Sequence, residues 1–181
     1  MALKKQWYEI ISPKMFGEKP VGETLAVDPK SLVNRKLQVN VTEIDRNSPN
    51  YFIKLILKID SIDGNKAFTR LVGHDVMTER VYRMVRRRSR RVDIIQDVTT
   101  KDGRKLRIKI LAVLIRRVNT SVKGSVRRNM EELVKAECTA LELEELMKSI
   151  ISGKFQEKLR KQCSKIYPIG GLEVRKTEIA Q

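Results

Sequence analysis

The stretch VDIIQDVTTKDGRKLRIKILAVLI, residues 92–115, predicts a β-hairpin. Two runs rich in β-branched residues flank Asp102-Gly103, and an Asp-Gly pair between such runs is a strong signal for a tight turn. The second run alternates apolar with basic residues, which are Leu106, Arg107, Ile108, Lys109 and Ile110. Because successive side chains of a strand point to opposite faces, this strand is predicted to be apolar on one face and basic on the other.

Three further strands are predicted on the N-terminal side of the hairpin. Residues 36–44 alternate apolar with polar side chains, residues 51–59 are mostly apolar, and residues 66–76 also have the composition of a strand. Asp63-Gly64 lies between the second and third of these runs and predicts another tight turn. Strands joined by such turns are expected to pair as an antiparallel meander.

Helices are predicted on both sides of the hairpin. The periodicity of apolar residues predicts a helix over 79–91, a long helix over 125–152 and a shorter one over 154–166. A last strand is predicted at 172–180. These elements together predict an α+β fold, in which five or six antiparallel strands form a barrel-like sheet with flanking helices. Barrel closure is inferred from the number of strands, because closure removes exposed sheet edges.

The chain is predicted to have two parts. Residues 1–35 hold prolines and glycines throughout and predict an extended N-terminal arm. Residues 36–181 are predicted to form a single domain that consists of the β-barrel and its helices. The chain is 41% hydrophobic, which is enough for a core and excludes a disordered basic tail.

The charge of the chain is strongly basic and unevenly placed. There are 38 Lys and Arg residues against 22 Asp and Glu, a formal net charge of +16. Residues 79–128 contain 17 of the basic residues and four of the acidic ones, so +13 of this charge lies in under a third of the chain. Such a concentration indicates a polyanionic partner. A membrane is the weaker candidate, because no run has the 18 or more apolar residues of a span and the arginine-rich helix has only a narrow apolar stripe. RNA bound by its shape and phosphates fits best, and the 36–181 domain is therefore predicted to bind RNA.

Seven arginines lie within residues 80–91, and Thr78 is predicted to cap the helix that carries them. A guanidinium can form two parallel hydrogen bonds to one phosphate and can also stack on an exposed base. Residues 116–128 are predicted to be a flexible basic loop that becomes ordered on a phosphate backbone. Both segments are therefore candidates for contact with RNA.

The candidate RNA-binding residues are basic side chains of three segments and one aromatic side chain: Lys4, Lys5, Trp7, Arg80, Arg83, Arg86, Arg87, Arg90, Arg91, Arg116, Arg117, Lys123, Arg127 and Arg128. Trp7 lies next to cations, which suits base stacking; its packing onto the domain is the favoured alternative. Arg88 is set apart, because helical spacing from Val81 and Val85 places it next to the apolar stripe.

The sequence predicts no catalytic site, no metal site and no cofactor. His74 is the only histidine and lies beside Asp75. An RNA-processing or RNA-modifying enzyme that uses this pair is the alternative function, but no nucleophile motif accompanies it. Cys138 and Cys163 match no metal or redox spacing and are predicted to be buried free thiols of a cytosolic protein, with a disulfide as the less favoured alternative.

Three stretches resemble the S3Ae family of archaeal and eukaryotic small-subunit (30S) ribosomal proteins. They are KKQWYEIISPKMFGEKPVGETLA at 4–26, RLVGHDVMTERVYRMVRRRSRRVDIIQDVTTKDGRKLRIK at 70–109, and CSKIYPIGGLEVRK at 163–176. The resemblance therefore runs nearly from end to end. The absence of the long basic tails of eukaryotic members makes the chain similar to archaeal ones.

The resemblance implies a non-enzymatic, structural component of the archaeal 30S subunit that has a β-barrel with flanking helices. It implies a ribosome-bound, cytoplasmic protein on the subunit platform, near the messenger exit and the 3′ region of the small-subunit rRNA. The implied partners are that rRNA, neighbouring platform proteins and messenger RNA near the exit. Residues 80–91 and 116–128 would lie against rRNA, and the segment around Lys5 would reach rRNA or neighbouring proteins.

Overall fold

The computed structural model describes residues 5–45 and 49–179, which contain eight β-strands and five α-helices. The chain divides into two compact units, 1–74 and 75–181. The prediction of an α+β fold is confirmed. The predicted boundary after residue 35 falls inside the first unit, and a single domain over 36–181 stays a prediction.

The first unit is built from five strands and one short helix. Their bounds are β1 (Gln6–Ile11), β2 (Pro20–Ala26), β3 (Lys36–Asn40), α1 (Val41–Ile44), β4 (Ile53–Asp63) and β5 (Lys66–Val76). The strand order is β2-β1-β5-β4-β3. β1 pairs antiparallel with β2 and parallel with β5, and β3 pairs antiparallel with β4. The meander β3-β4-β5 is thus present, although the first of the three predicted strands, 36–44, ends in a helical turn.

Residues 5–35, which belong to the predicted extended arm, contain regular elements. β1 and β2 form a hairpin there, and two short 3₁₀ helices lie at Lys14–Phe16 and Pro29–Leu32. Pro20 and Pro29 stand at the first residues of their elements, where a missing N–H costs little. Side chains of this segment share a buried cluster with the later strands: Tyr8, Ala26, Leu32, Ile59 and Ala67.

The second unit is a three-stranded antiparallel sheet with helices. Its elements are α2 (Thr78–Met84), β6 (Arg90–Thr99), β7 (Lys105–Leu114), α3 (Thr120–Ala140), α4 (Leu143–Ser152), α5 (Lys154–Cys163) and β8 (Ile169–Ile179). β7 lies between β6 and β8 and is antiparallel to both. The predicted hairpin is confirmed, and Gly103 in its turn has a φ of 74°, a conformation that glycine adopts readily.

The core of the second unit lies between the sheet and α3. Val92, Ile94 and Ile108 are fully buried on one face of the sheet. α3 packs against β6, and its Val126 and Met130 are also fully buried. The predicted apolar face of β7 is therefore confirmed. The strands of neither unit close on themselves within the described residues, so a barrel-like sheet is not confirmed.

The arginine-rich helix is shorter than the sequence predicted. α2 ends at Met84 and not near Arg91, and Arg90 already begins β6. A longer helix would place arginines four residues apart on one face, where like charges repel. The first helical residue is Thr78, and no side chain caps the helix, so Thr78 does not have the capping role predicted for it. Glu79 lies in the first turn, where its negative charge interacts favourably with the helix dipole.

The long C-terminal helix is two helices, and the first of them begins early. α3 starts at Thr120, so most of the loop predicted over 116–128 is helical. The helix is interrupted between α3 and α4, because the β6–β7 turn forms hydrogen bonds with the backbone there. The N–H of Lys101 donates to the carbonyl of Leu141 at 3.1 Å, and the N–H of Leu143 donates to the Asp102 carboxylate at 3.1 Å. The break depends on a distant turn and is therefore invisible to helical periodicity.

Both cysteines are buried free thiols, which confirms the prediction. Cys138 lies on α3 and Cys163 ends α5. Burial raises the pKa of Cys138 to about 12 and that of Cys163 to about 11, since a thiolate is poorly solvated inside the protein.

We expect both thiols to be almost unreactive in the folded protein. The thiolate is the reactive species, so at pH 8 a disulfide reagent should modify the native chain at least about 100-fold more slowly than the chain in denaturant. The release of the chromogenic thiol over time measures both rates. A fast phase of thiol release from the native protein, with an amplitude of one thiol per chain, would contradict the burial of these side chains.

Candidate nucleic-acid interface

The pairing of the second unit's strands brings three connections to one end of its sheet. Arg90, the first residue of β6, pairs with Leu114 at the end of β7, and Leu114 pairs with Ile169 at the start of β8. Residues 85–89 and 115–119 and the segment before Ile169 therefore all leave the sheet at this end. The N–H of Ile115 also donates to the Pro168 carbonyl at 3.4 Å, which joins two of these connections.

These connections carry a group of exposed cations, which we call the basic end. Its members are Arg86, Arg87, Arg88, Arg116, Arg117 and Lys165. Within the described residues, none of these six side chains forms an ion pair. The basic end is therefore a surface of uncompensated positive charge.

The turn between α2 and β6 presents three of these arginines. The backbone N–H of Arg86 donates to the Ser89 hydroxyl at 3.2 Å, and that hydroxyl donates to the Arg86 carbonyl at 2.5 Å. Arg88 has a left-handed backbone with φ of 70°. Arg88 is exposed in this turn, which corrects the prediction that it flanks the core of a longer helix.

α2 is fixed on the sheet by Arg80 and Met84. The Arg80 guanidinium donates to Glu173 of β8 at 3.0 Å, and the Glu173 side chain is only 11% exposed. Met84 lies over Gly171, where a Cβ atom would stand 2.8 Å from the Met84 Cε. Burial raises the pKa of the Glu173 carboxyl, and the hydrogen bond from Arg80 opposes that rise. Arg80 thus has a structural partner, in addition to the RNA contact predicted for it.

Two other candidate arginines form ion pairs inside the unit, and a third is half-buried. Arg91 forms three short hydrogen bonds to the Asp93 carboxylate, two from Nε and one from Nη2, at 2.7–2.8 Å. Arg127 pairs with Glu131 one helical turn away at 3.0 Å. Arg90 is half-buried, and its Nε atom is buried without a hydrogen-bond partner. These side chains are less available to a phosphate than those of the basic end.

The outer face of β6, β7 and β8 is not the basic stripe that the alternation in β7 predicted. Arg107 donates to both carboxylate oxygens of Asp97, at 2.6 and 2.8 Å. Lys109 and Lys176 both pair with Glu178, at 3.4 and 2.9 Å. These cations lower the pKa of Asp97 and of Glu178, through hydrogen bonds from Arg107 and Lys176 respectively. The face has alternating charges, because cross-strand neighbours supply acids that the sequence of β7 alone does not show.

The remaining candidates lie at three places. Lys123 and Arg128 lie on the N-terminal half of α3, and Arg83 is exposed on α2. Lys5 and Trp7 belong to the first unit, and Trp7 is 61% exposed on β1, opposite Leu25 of β2. Trp7 is therefore not part of a core, while its packing onto the domain and its contact with RNA both stay predictions. Lys4 lies outside the described residues.

Sequence reasoning missed Lys165 and two apolar neighbours of the basic end. Lys165 lies in the connection before β8. The sequence alone does not place it with the arginines, because its position at this end of the sheet follows from the pairing of β8 with β7. Ile115 and Ile166 lie in the same connections and are 56% and 42% exposed. Tyr82 of α2 is a further aromatic side chain, and it is 73% exposed.

The alternative catalytic pair has no access to a substrate. His74 has no exposed surface, and it takes part in an interaction with its surroundings. In the described part of the chain, no group of three or more His, Cys, Asp and Glu residues could hold a metal ion. No helix among residues 5–45 and 49–179 is long and apolar enough to cross a membrane.

Comparison with known proteins identifies a family. The model of the ribosomal S3Ae family matches residues 2–181. Among curated relatives, the small ribosomal subunit protein eS1 of Desulfurococcus amylolyticus is 39% identical, over 97% of this chain and 82% of its own. The eS1 proteins of Methanothermobacter thermautotrophicus and Methanothrix thermoacetophila are 37% and 34% identical, over 98% and 97% of this chain and 91% and 83% of their own.

The buried Glu173 should give the fold a pH dependence of known sign. Its folded pKa lies above that of the unfolded chain, so the folded state binds the proton more tightly and loses stability as pH rises through that interval. We expect the urea midpoint of the native protein, relative to that of Glu173→Gln, to fall between pH 4 and pH 7. Glutamine still accepts the hydrogen bond from Arg80, so the comparison isolates the charge.

Asp97→Asn is the matched control for this measurement. The pKa of Asp97 is lowered, so its titration lies at or below the acid limit of the experiment, and the difference from the native protein should stay constant over the same range. A constant difference for Glu173→Gln as well would contradict the burial of that carboxyl.

Proposed function

Because the chain belongs to the ribosomal S3Ae family, we propose that it is a structural protein of the archaeal small ribosomal subunit that binds rRNA through its basic end. The family is one of ribosomal proteins, so the chain is not an enzyme. The proposal for the site rests on one observation: six exposed cations from three connections converge at one sheet end without an ion-pair partner.

The mechanism is neutralisation of phosphates and release of their counterions. Each cation that contacts a phosphate releases condensed counterions, which favours binding and makes it depend on salt. Five of the six cations are arginines, and the planar guanidinium can hold a phosphate by two hydrogen bonds. Phosphate contacts position a protein on folded RNA, whereas the cations paired with carboxylates contribute to the fold instead.

Lys123 and Arg128 would extend this contact along the first turns of α3, which follow the loop 115–119. Arg83 would extend it along α2. We propose that Lys4, Lys5 and Trp7 form a second, separate contact with rRNA or a neighbouring protein, because an exposed tryptophan beside cations suits base stacking. Arg80, Arg90, Arg91 and Arg127 are then secondary contributors.

The family resemblance supports a further proposal, which concerns the location within the subunit. We propose a site on the platform near the messenger exit, next to the 3′ region of the small-subunit rRNA and to neighbouring platform proteins. Messenger RNA near the exit is a further partner in this proposal. The protein would be ribosome-bound in the cytoplasm.

Neutralising the basic end should weaken RNA binding and flatten its salt dependence. In a variant with Arg86, Arg87, Arg116 and Arg117 changed to Gln, four phosphate contacts are lost. The log–log slope of the binding constant against KCl should then be less steep by about 3 to 4. Filter binding to transcribed archaeal small-subunit rRNA measures both slopes.

A control variant removes the same formal charge from cations that already have carboxylate partners: Arg70, Arg107, Lys158 and Lys161 changed to Gln. Its slope should stay close to that of the native protein, and equal slopes for the two variants would remove the case for the basic end. Sedimentation with 30S subunits in sucrose gradients tests the broader role. A native protein that stays at the top of the gradient at low salt would overturn the ribosomal assignment.

A further inference from the structure

We propose that Ser89 is a positioning residue that holds the turn 85–89 in a preformed shape for RNA phosphates, with Arg86, Arg87 and Arg88 as the contacting side chains. This inference rests on the proposed function and deepens it. It assigns a role to an uncharged residue within the arginine cluster.

The Ser89 side chain satisfies both polar backbone groups of Arg86. Its hydroxyl accepts the Arg86 N–H at 3.2 Å and donates to the Arg86 carbonyl at 2.5 Å. The backbone N–H of Ser89 donates to the same carbonyl at 3.2 Å. A serine hydroxyl that binds nearby backbone groups favours a turn over a continued helix. These three bonds close the turn on itself without using any arginine side chain.

The shape of this turn determines what Arg88 can contact. In a helix that continued from α2, Arg88 would fall in line with Val81, Met84 and Val85, which are buried or half-buried. The left-handed backbone at Arg88 takes the residue out of that line, and the side chain becomes exposed. Three consecutive arginines then all reach solvent, whereas in a strand alternate side chains point to opposite faces.

The left-handed conformation of Arg88 is itself informative. A side chain with a Cβ atom disfavours this region, and glycine or asparagine usually occupies it. Among the described residues of the second unit, Arg88 is the one residue other than glycine with a positive φ. Glycine would relieve the strain, so the arginine side chain at this position is expected to have a use that offsets it.

A preformed turn lowers the cost of binding. Three neighbouring guanidinium groups repel one another, and a flexible segment would have to be ordered against that repulsion when it meets a phosphate. The hydrogen bonds of Ser89 fix the backbone beforehand, so less conformational freedom is lost on binding. Loss of the hydroxyl should therefore weaken binding without removing any charge.

The test compares Ser89→Ala with the native protein in binding to transcribed archaeal small-subunit rRNA. We expect affinity to fall by about 3- to 10-fold, with an unchanged salt slope, because the number of phosphate contacts stays the same. Ser89→Thr keeps a hydroxyl and should restore most of the affinity. Ser125→Ala is the control: Ser125 is exposed on α3, its hydroxyl donates only to the Ser121 carbonyl, and its loss should leave binding unchanged.

Arg88→Gly separates the side chain from the shape of the turn. This variant should unfold at a temperature equal to or above that of the native protein, since glycine relieves the strain, yet its salt slope should be less steep by about 0.9. An unchanged slope would overturn the role of Arg88, and an unchanged affinity for Ser89→Ala would overturn the role of Ser89. Either result leaves the proposed function intact, provided that the variant with four arginines changed to Gln binds rRNA more weakly than the native protein.

A polyglutamate probe identifies the kind of polyanion. If Ser89→Ala weakens binding to polyglutamate as much as binding to rRNA, the turn recognises carboxylates of an acidic protein surface, and the inference is wrong. If the native protein binds rRNA no better than a neutral protein does, the proposed function fails, and this inference with it.

Discussion

The pairing of β7 with β6 on one side and β8 on the other is the constraint on which the second unit depends. Arg90, Leu114 and Ile169 form one row across the sheet. This row decides which connections meet, because strands of an antiparallel sheet that pair along their length must begin and end together. Residues about 80 positions apart in the chain thus come to the same end of the sheet. The surface follows from backbone pairing, and its charge follows from the residues that the connections carry.

The acidic residues divide the cations of the second unit into two groups. Asp93, Asp97, Glu173 and Glu178 pair with cations of α2 and of the strands. All but the Arg80–Glu173 pair are exposed ion pairs, which add little stability but remove net charge from the face they occupy. The connections at the sheet end contain no such acids, so no acid within them offsets the positive field of their cations. Salt screens this field over about 10 Å at 0.1 M. The repulsion among the cations is weakest when a polyanion lies against them.

Local signals predicted the parts of the fold that local chemistry decides. The Asp102-Gly103 hairpin and the strand 66–76 were predicted correctly, because turn residues and alternation suffice for them. The hairpin of β1 and β2 and the break before Leu143 were missed, because both depend on residues that are distant in the sequence. The candidate residues were drawn from the correct segments, but the partners of Arg80 and Arg107 lie on other strands. A count of charges cannot show which of them are already compensated.

The turn before β6 assigns its shape and its charge to different atoms. Ser89 holds the backbone of Arg86, whereas the guanidinium groups of the three arginines form no ion pair within the described residues. Exchange of one arginine for lysine would keep the charge and change how the side chain hydrogen-bonds an anion, but it would leave the hydrogen bonds that define the turn untouched. The backbone shape of the turn and the anion affinity of its side chains can therefore change independently in evolution. Related chains could differ in their affinity for an anion through exchange of these side chains alone, while the backbone of the loop stays the same.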